Sequence, residues 1–328
     1  LKPDDSGVRD NSSSSIAEYL VSWSPGLIRN KVRDSLRSAG ISGPLPRLEF
    51  VEHHLSHAWQ AYWQSPFQDA AVLVADGSGE ENCVSAWEVH RGRFRKMFGV
   101  DVPYSLGWFF GGFTAYLGFQ PNRDEGKLMG LAALGQARSG SNPWPGRLDR
   151  ILKAASGGYE MDPCFFKPGA HNHHPRFTDA LAAFITGFDS EMRPVSLGET
   201  AGGKGSLQPR YLLPGYIDLA WAVQDRLEQV VLSLARRALA ESGLQDLCLA
   251  GGVFMNCKVN GVLRDLSGAR AIFAHPAASD DGSCIGAALV TAAGMREIPA
   301  RGLHGIQLGP AAGNGEIQSC LEDWGVSY

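Results

Sequence analysis

The sequence predicts an α/β domain whose central strands are buried on both faces. Three observations lead to this. Continuous apolar runs at Ala70–Ala75, Leu247–Ala250 and Ala271–Phe273 have the character of strands covered from both sides. Segments with helical periodicity separate them. Several runs end in glycine-rich loops, the position where α/β proteins place ligands.

The elements follow in order. Residues 25–40 carry Leu27, Val32, Leu36 and Ala39 at helical spacing, and Gly40 and Gly43 end the helix. Leu48-Glu49-Phe50-Val51 is expected to be a short strand leading into His53, with a helix from His57 to Trp63. The run Ala70–Ala75 enters Asp76-Gly77-Ser78-Gly79, and Val84–His90 and Arg93–Phe98 read as strands joined by a turn at Arg91-Gly92. Residues 105–135 combine glycines and aromatics and then turn helical. Residues 136–210 are irregular and are expected to form a substrate-side insertion, with Gly202-Gly203-Lys204-Gly205 and a His171–His174 cluster that reads as a solvated loop or an acceptor grip. The longest helix, about Ile217 to Glu241, repeats apolar residues at i+3/i+4 and stops at Gly243. A small-residue helix spans Ser283–Ala293.

The 328 residues, 44% hydrophobic and 20% charged, suffice for one large core or two lobes. A net charge of −4 with no basic stripe does not favour nucleic acid as a partner. No apolar run is long enough to span a bilayer. The six cysteines are scattered without a CxxC pair, which fits reduced thiols in a cytoplasmic protein. Residues 1–24 form a polar lead-in without a signal-peptide pattern and are expected to belong to a truncated first lobe. The main domain is expected at 25–310, and 311–328 reads as the start of a further, carboxy-terminal domain.

Four constellations carry chemistry. His53 and His57 are four apart, so a helix starting near His53 puts both imidazoles on one face. With Asp76 after a buried strand, and Asp280 or Asp281 before a small-residue helix, they suit a divalent transition ion such as Fe(II), with zinc the chief competitor. The bland reading is a helical histidine pair and two turn-capping acids. Asp76-Gly77-Ser78-Gly79-Glu80 reads equally as a phosphate loop or a hairpin turn. Gly251-Gly252-Val253-Phe254-Met255-Asn256, with Asn260 a turn later, follows a strand and offers backbone amides to a phosphate, or is simply a tight turn. It matches neither a dinucleotide fingerprint nor a Walker loop. Glu125-Gly126-Lys127-Leu128-Met129-Gly130 places a lysine in a glycine-bounded apolar segment, for a phosphate or carbamoyl oxygen or for a solvated helix face.

Taken together and in order, these segments resemble a known family. The residues that carry the resemblance are Val51-Glu52-His53-His54-Leu55-Ser56-His57-Ala58, Asp76–Glu80, Tyr104-Ser105-Leu106-Gly107, Lys127-Leu128-Met129-Gly130-Leu131-Ala132, Ala250–Cys257 and His275-Pro276-Ala277-Ala278-Ser279-Asp280-Asp281-Gly282. They look like the carbamoyltransferases that include nodulation-factor and antibiotic O-carbamoyltransferases. The first domain of that family is similar to the ATPases that make threonylcarbamoyladenosine in tRNA. The resemblance implies an actin-like, sugar-kinase-like duplicated domain with mixed sheets flanked by helices. It implies His53, His57, Asp76 and Asp280 as ligands of an iron-type metal, with Asp281 the alternative to Asp280. It implies Gly251, Gly252 and Asn256 around ATP or carbamoyl-adenylate, with Lys127 near its phosphate side; the loops themselves add Gly77, Ser78, Gly79, Glu125 and Asn260 to that site, and His54 and Lys127 are the candidate catalytic groups, His54 as general base.

The implied partners are carbamoyl phosphate, ATP and a small-molecule hydroxyl acceptor, with a homodimer left open. Two other functions stay in view: transfer of threonylcarbamoyl to tRNA, and an incomplete nucleotide-binding module. The opening strand with its Gly/His loop and the adenylate-forming second domain that the resemblance implies are expected outside these residues, and Ala133-Leu134-Gly135 stands where Pro-Tyr-Gly is usual.

Overall fold

A computed structural model describes residues 24–135, 141–168, 175–201, 208–297, 300–303, 305 and 309–327. The His171–His174 cluster and Gly202–Gly205 lie outside the described residues.

The elements are α1 (Pro25–Ser38), α2 (His53–Gln64), β1 (Asp69–Ala75), β2 (Asn82–His90), β3 (Arg93–Asp101), α3 (Leu106–Tyr116) and α4 (Glu125–Gly135). A short helix α5 (Trp144–Leu148) and a hairpin β4 (Leu152–Ala155)–β5 (Gly158–Met161) follow. Then come α6 (Asp179–Thr186), α7 (Pro214–Ser242), β6 (Asp246–Ala250), α8 (Cys257–Leu266), β7 (Ala271–Ala274), α9 (Asp280–Gly294) and α10 (Asn314–Asp323).

The main sheet has five strands in the order β3-β2-β1-β6-β7. β1, β2 and β3 form an antiparallel meander, while β6 and β7 run parallel to β1. The chain is therefore an α/β domain with a mixed sheet flanked by helices. Along β1 the side chains alternate between two cores. Ala71, Leu73 and Ala75 join the larger cluster with Leu227, Val230 and Leu234 of α7, and Ala70, Val72 and Val74 join a smaller one with Ala58, Ala61 and Tyr62 of α2 and Leu289 of α9. Burial on both sides is why β1 is continuously apolar. The resemblance implied a duplicated architecture; among the described residues there is one such sheet and the separate β4–β5 hairpin.

One predicted strand is absent. Residues 48–51 form no strand. Pro44 and Pro46 remove donors just before them, Glu49 and Phe50 are exposed, and no edge among the described residues pairs with the segment. Two helices begin earlier than periodicity indicated. α2 starts at His53 and α9 at Asp280, so both carry candidate ligands in their first turns.

Register brings the loops together. Val74 of β1 lies opposite Ala250 of β6, so Asp76 and Gly251-Gly252 leave the sheet side by side. Gly251 adopts φ +97, and a Cβ there would stand 2.2 Å from the Ala75 carbonyl oxygen. Only glycine fits this approach.

Candidate metal centre

The amino terminus of α2 is fixed by two carboxylates. Glu52 caps it by accepting from the amides of His54 (3.2 Å) and Leu55 (2.6 Å). Glu80 accepts from the His53 amide at 3.0 and 3.1 Å. Negative charge suits a helix amino terminus, and Glu80 thereby ties the Asp76–Glu80 loop to the first turn of α2.

Asp76 presents its two oxygens differently. Oδ1 accepts from the backbone amides of Gly77 (2.7 Å) and Gly252 (3.1 Å). Oδ2 is thus left to face the imidazoles, 3.1 Å from both His53 Nε2 and His57 Nε2. Asp280 Oδ1 approaches the same nitrogens at 3.3 and 3.5 Å. The two Nε2 atoms are 3.2 Å apart. The four donor atoms of His53, His57, Asp76 and Asp280 lie within 4.8 Å of one another. Asp280, not Asp281, joins the group.

This donor set fits a metal ion. Each Nε2 faces two carboxylate oxygens and another Nε2, yet a neutral imidazole nitrogen either carries one proton or offers one lone pair. Hydrogen bonding cannot satisfy all these approaches at once. Ligands held at about 2.1 Å from one ion stand roughly 3.0–3.4 Å from each other, which is close to the spacings seen. Two imidazoles and two carboxylates suit a divalent transition ion.

The electrostatics agree. Burial opposes charge on His53, but hydrogen bonds to Asp280 and Asp76 outweigh it and raise its pKa to about 10. His57 is also raised by these two carboxylates against burial. Asp76 is held well below the usual carboxylate range despite its burial, and Asp280 falls to about 2, through their bonds to the two histidines. A divalent cation would answer the same two negative charges.

The other sequence candidates are placed as follows. His54 is fully buried, and its Nδ1 lies 2.9 Å from Ser85 Oγ, which also accepts from Trp87 Nε1 at 3.0 Å. Burial lowers its pKa to about 3. The expected general base is therefore corrected: its ring is closed off from an acceptor, and so low a pKa makes it a poor base near neutrality. Gly251 and Gly252 were expected to offer free amides to a phosphate. Instead they donate to Ala278 O (2.7 Å) and to Asp76 Oδ1.

Asn256 caps α8 by accepting from the Val259 amide and exchanges two hydrogen bonds with Gln224, and Asn260 donates to Phe254 O. The Asn256 amide is thus fully engaged within the protein, whereas Asn260 Oδ1 is buried without a partner among the described residues. Lys127 and Glu125 sit on α4, apart from the four-residue cluster. Lys127 is exposed and pairs with Asp124 at 3.0 Å, while Glu125 accepts from the Asn122 amide. In the loop after β1, Gly79 donates to Asn82 O at 2.7 Å, and Ser78 makes no hydrogen bond to another described residue. Gly77 is packed under α3, where a Cβ on Gly107 would lie 2.8 Å from the Gly77 Cα.

Sequence reasoning assigned no role to Glu80 as an anchor of α2, or to Gln60 and His275 behind Asp280. The quoted segment His275–Gly282 contained His275, but its partners, Gln60 and Gln64, are far away in sequence.

A model of the carbamoyltransferase N-terminus matches residues 41–289. An uncharacterized protein, sll1178, of Synechocystis sp. is 36% identical over 75% of this chain and 36% of its own length. The nodulation protein NolNO of Sinorhizobium fredii is 29% identical over 85% of this chain and 36% of its own. The nodulation protein NolO of Bradyrhizobium diazoefficiens is 29% identical over 80% and 42%. The chain thus spans about 36–42% of the length of these relatives. With a matched segment that reaches from before α2 into α9 and includes all four residues of the cluster, the chain belongs to the carbamoyltransferase N-terminus family.

Proposed function

We propose that this chain is the transfer domain of an O-carbamoyltransferase. It would take carbamoyl-adenylate, made from carbamoyl phosphate and ATP, and pass the carbamoyl group to a hydroxyl of a small-molecule acceptor such as a sugar, nodulation factor or antibiotic. The observation that carries this reading is the convergence of His53, His57, Asp76 and Asp280 beside a glycine-rich strand-to-strand loop. The actin-like duplicated architecture and a cytoplasmic location belong to the same reading. No helix among the described residues is long and apolar enough to cross a membrane.

The four residues would hold a divalent ion, Fe(II) in the first instance and zinc as competitor. When bound, that ion supplies positive charge against phosphate or carbamoyl oxygens. Asp76 is oriented by the Gly77 and Gly252 amides. Ser78, with no hydrogen-bond partner among the described residues, is the group in the loop free to donate to an anion. Lys127 is exposed and tethered by one carboxylate, which fits a lysine that exchanges Asp124 for a nucleotide phosphate. In the transfer step the acceptor oxygen bonds to the carbamoyl carbon. The bond from that carbon to the phosphate oxygen breaks, AMP leaves, and the hydroxyl proton passes to solvent. His54 is assigned no proton transfer.

The test uses the full-length gene product loaded with Fe(II) and supplied with ATP and carbamoyl phosphate. Mass spectrometry should detect carbamoyl-adenylate, and a screen of hydroxyl acceptors should then show its consumption with release of AMP. Loaded protein that forms no adenylate, and transfers nothing from adenylate supplied chemically, refutes the proposal.

A further inference from the structure

We infer that His275 is a positioning residue that sets Asp280 against the two histidines, working through Gln60 and Gln64. This rests on the metal reading above and goes beyond the four donors.

The argument begins with one face of α2. His53, His57, Gln60 and Gln64 follow at i, i+4, i+7 and i+11, a single stripe of a helix. Its first turns carry the two imidazole donors, and its later turns carry two glutamines. Gln60 is fully buried. Its Nε2 donates to His275 Nδ1 at 2.8 Å and to the Ala277 carbonyl at 2.6 Å. The Ala277 amide also donates to His275 Nδ1, at 3.0 Å. With two N–H groups pointing at it, Nδ1 must be the unprotonated nitrogen. The proton therefore sits on Nε2, which donates to Gln64 Oε1.

His275 is 5% exposed, and each ring nitrogen has a fixed role. The ring follows β7 directly and opens the segment His275–Ser279, whose next residue is Asp280 at the start of α9. On its other side the segment is held by the Gly251 amide, which donates to Ala278 O at 2.7 Å. Asp280 has no comparable support of its own. Its side chain is half exposed, and Ser279, the residue that caps α9, makes no side-chain cap bond. Its approach to His53 and His57 is therefore set by where the segment before it is pinned, together with the close packing of α9 on α2. The same helix that carries the imidazoles does the pinning.

Partners behind a ligand typically contribute about 10- to 100-fold in metal affinity. Co(II) is the probe, because its visible absorption reports ligand number and geometry. Wild-type chain, His53→Ala, His275→Leu, His275→Asn and Val230→Ala are titrated well below their unfolding temperatures. Val230 lies in α7 on the opposite face of the sheet, so its truncation lowers stability without touching this network. Expected results are strong tetrahedral absorption for wild type, its loss in His53→Ala, and affinity about 10- to 100-fold lower with an altered spectrum in His275→Leu. His275→Asn offers Oδ1 in place of Nδ1 and should recover most of the affinity; Val230→Ala should bind like wild type. Wild type that binds no Co(II) overturns the metal reading and this role together. Wild-type binding with an unchanged His275→Leu overturns the role alone. So does equal weakening in His275→Leu and Val230→Ala, which would make the effect general destabilisation.

Discussion

Gly286→Ala should weaken metal binding although its site is six positions from the nearest donor. α9 crosses α2 so closely that a Cβ on Gly286 would stand 1.8 Å from the Ser56 carbonyl oxygen and 2.5 Å from its carbon. The obstacle is backbone, so no side-chain rotation relieves it. Ordinary contact begins at 3.4 Å, so the two helices must separate locally by roughly 1.6 Å. Metal–ligand distances tolerate only about ±0.2 Å. Asp280, on the first turn of α9, stands 3.3 Å from His53 Nε2, and a displacement of even a quarter of that separation exceeds the tolerance. Overpacking should cost about 1–3 kcal/mol of stability. Metal affinity should fall by at least about tenfold, as expected for a misplaced ligand support. The assay pairs thermal unfolding of the metal-free protein with calorimetric titration of Zn(II) or Fe(II). A variant with lowered stability and wild-type affinity would refute the link between helix approach and Asp280. A variant with unchanged stability would refute the approach itself.

The remaining predictions address the same region. In the metal-free protein His53 is raised from 6.5 to about 10. The stability it contributes is thus fully present below pH 6.5 and lost as pH rises towards 10, with His57 acting in the same direction. The unfolding temperature should therefore fall across this window while metal affinity rises, since protons compete for the same nitrogens; a flat metal-free profile counts against the cluster. Ser85→Ala removes the shared partner of His54 Nδ1 and Trp87 Nε1. It should cost about 1–3 kcal/mol for the buried groups left unpaired, read by denaturant unfolding. Glu80→Ala strips a carboxylate from the start of α2. It should cost about 1 kcal/mol, measured the same way, and weaken metal binding modestly because His53 is the residue it holds. His57→Ala should abolish high-affinity metal binding, judged by the metal content of purified protein, while leaving the far-UV circular dichroism unchanged.

The four clustered residues were legible because their signal is local. A pair of histidines four apart, an acid ending an apolar strand and acids opening a helix each show in a short window. Register then joins them, since Val74 pairs with Ala250 and carries Asp76 to Gly252. What the sequence hid depends on contacts between distant segments. Gln60 carried no local signal, because its partner His275 lies 215 positions away. Gly282 and Gly286 looked like generic small residues, yet Cβ atoms there would stand 1.7 Å from Gln60 Nε2 and 1.8 Å from Ser56 O. His54 misled because it sits between members of the cluster, whereas its own Nδ1 is engaged by Ser85 and its ring is fully buried. The strand expected at 48–51 did not form because its β-type residues meet no edge among the described residues.

The four donor atoms come from three stretches of chain: the first turns of α2, the exit of β1 and the start of α9. An ion held among them closes the loop between the early and late parts of the polypeptide. Its binding energy then adds directly to the folding energy, about 2.7 kcal/mol when free metal stands at 100 times its dissociation constant. Starved of metal, the protein would open more often at the seam between α2 and α9 and expose that seam to proteases. Metal supply would thereby govern how long each copy survives.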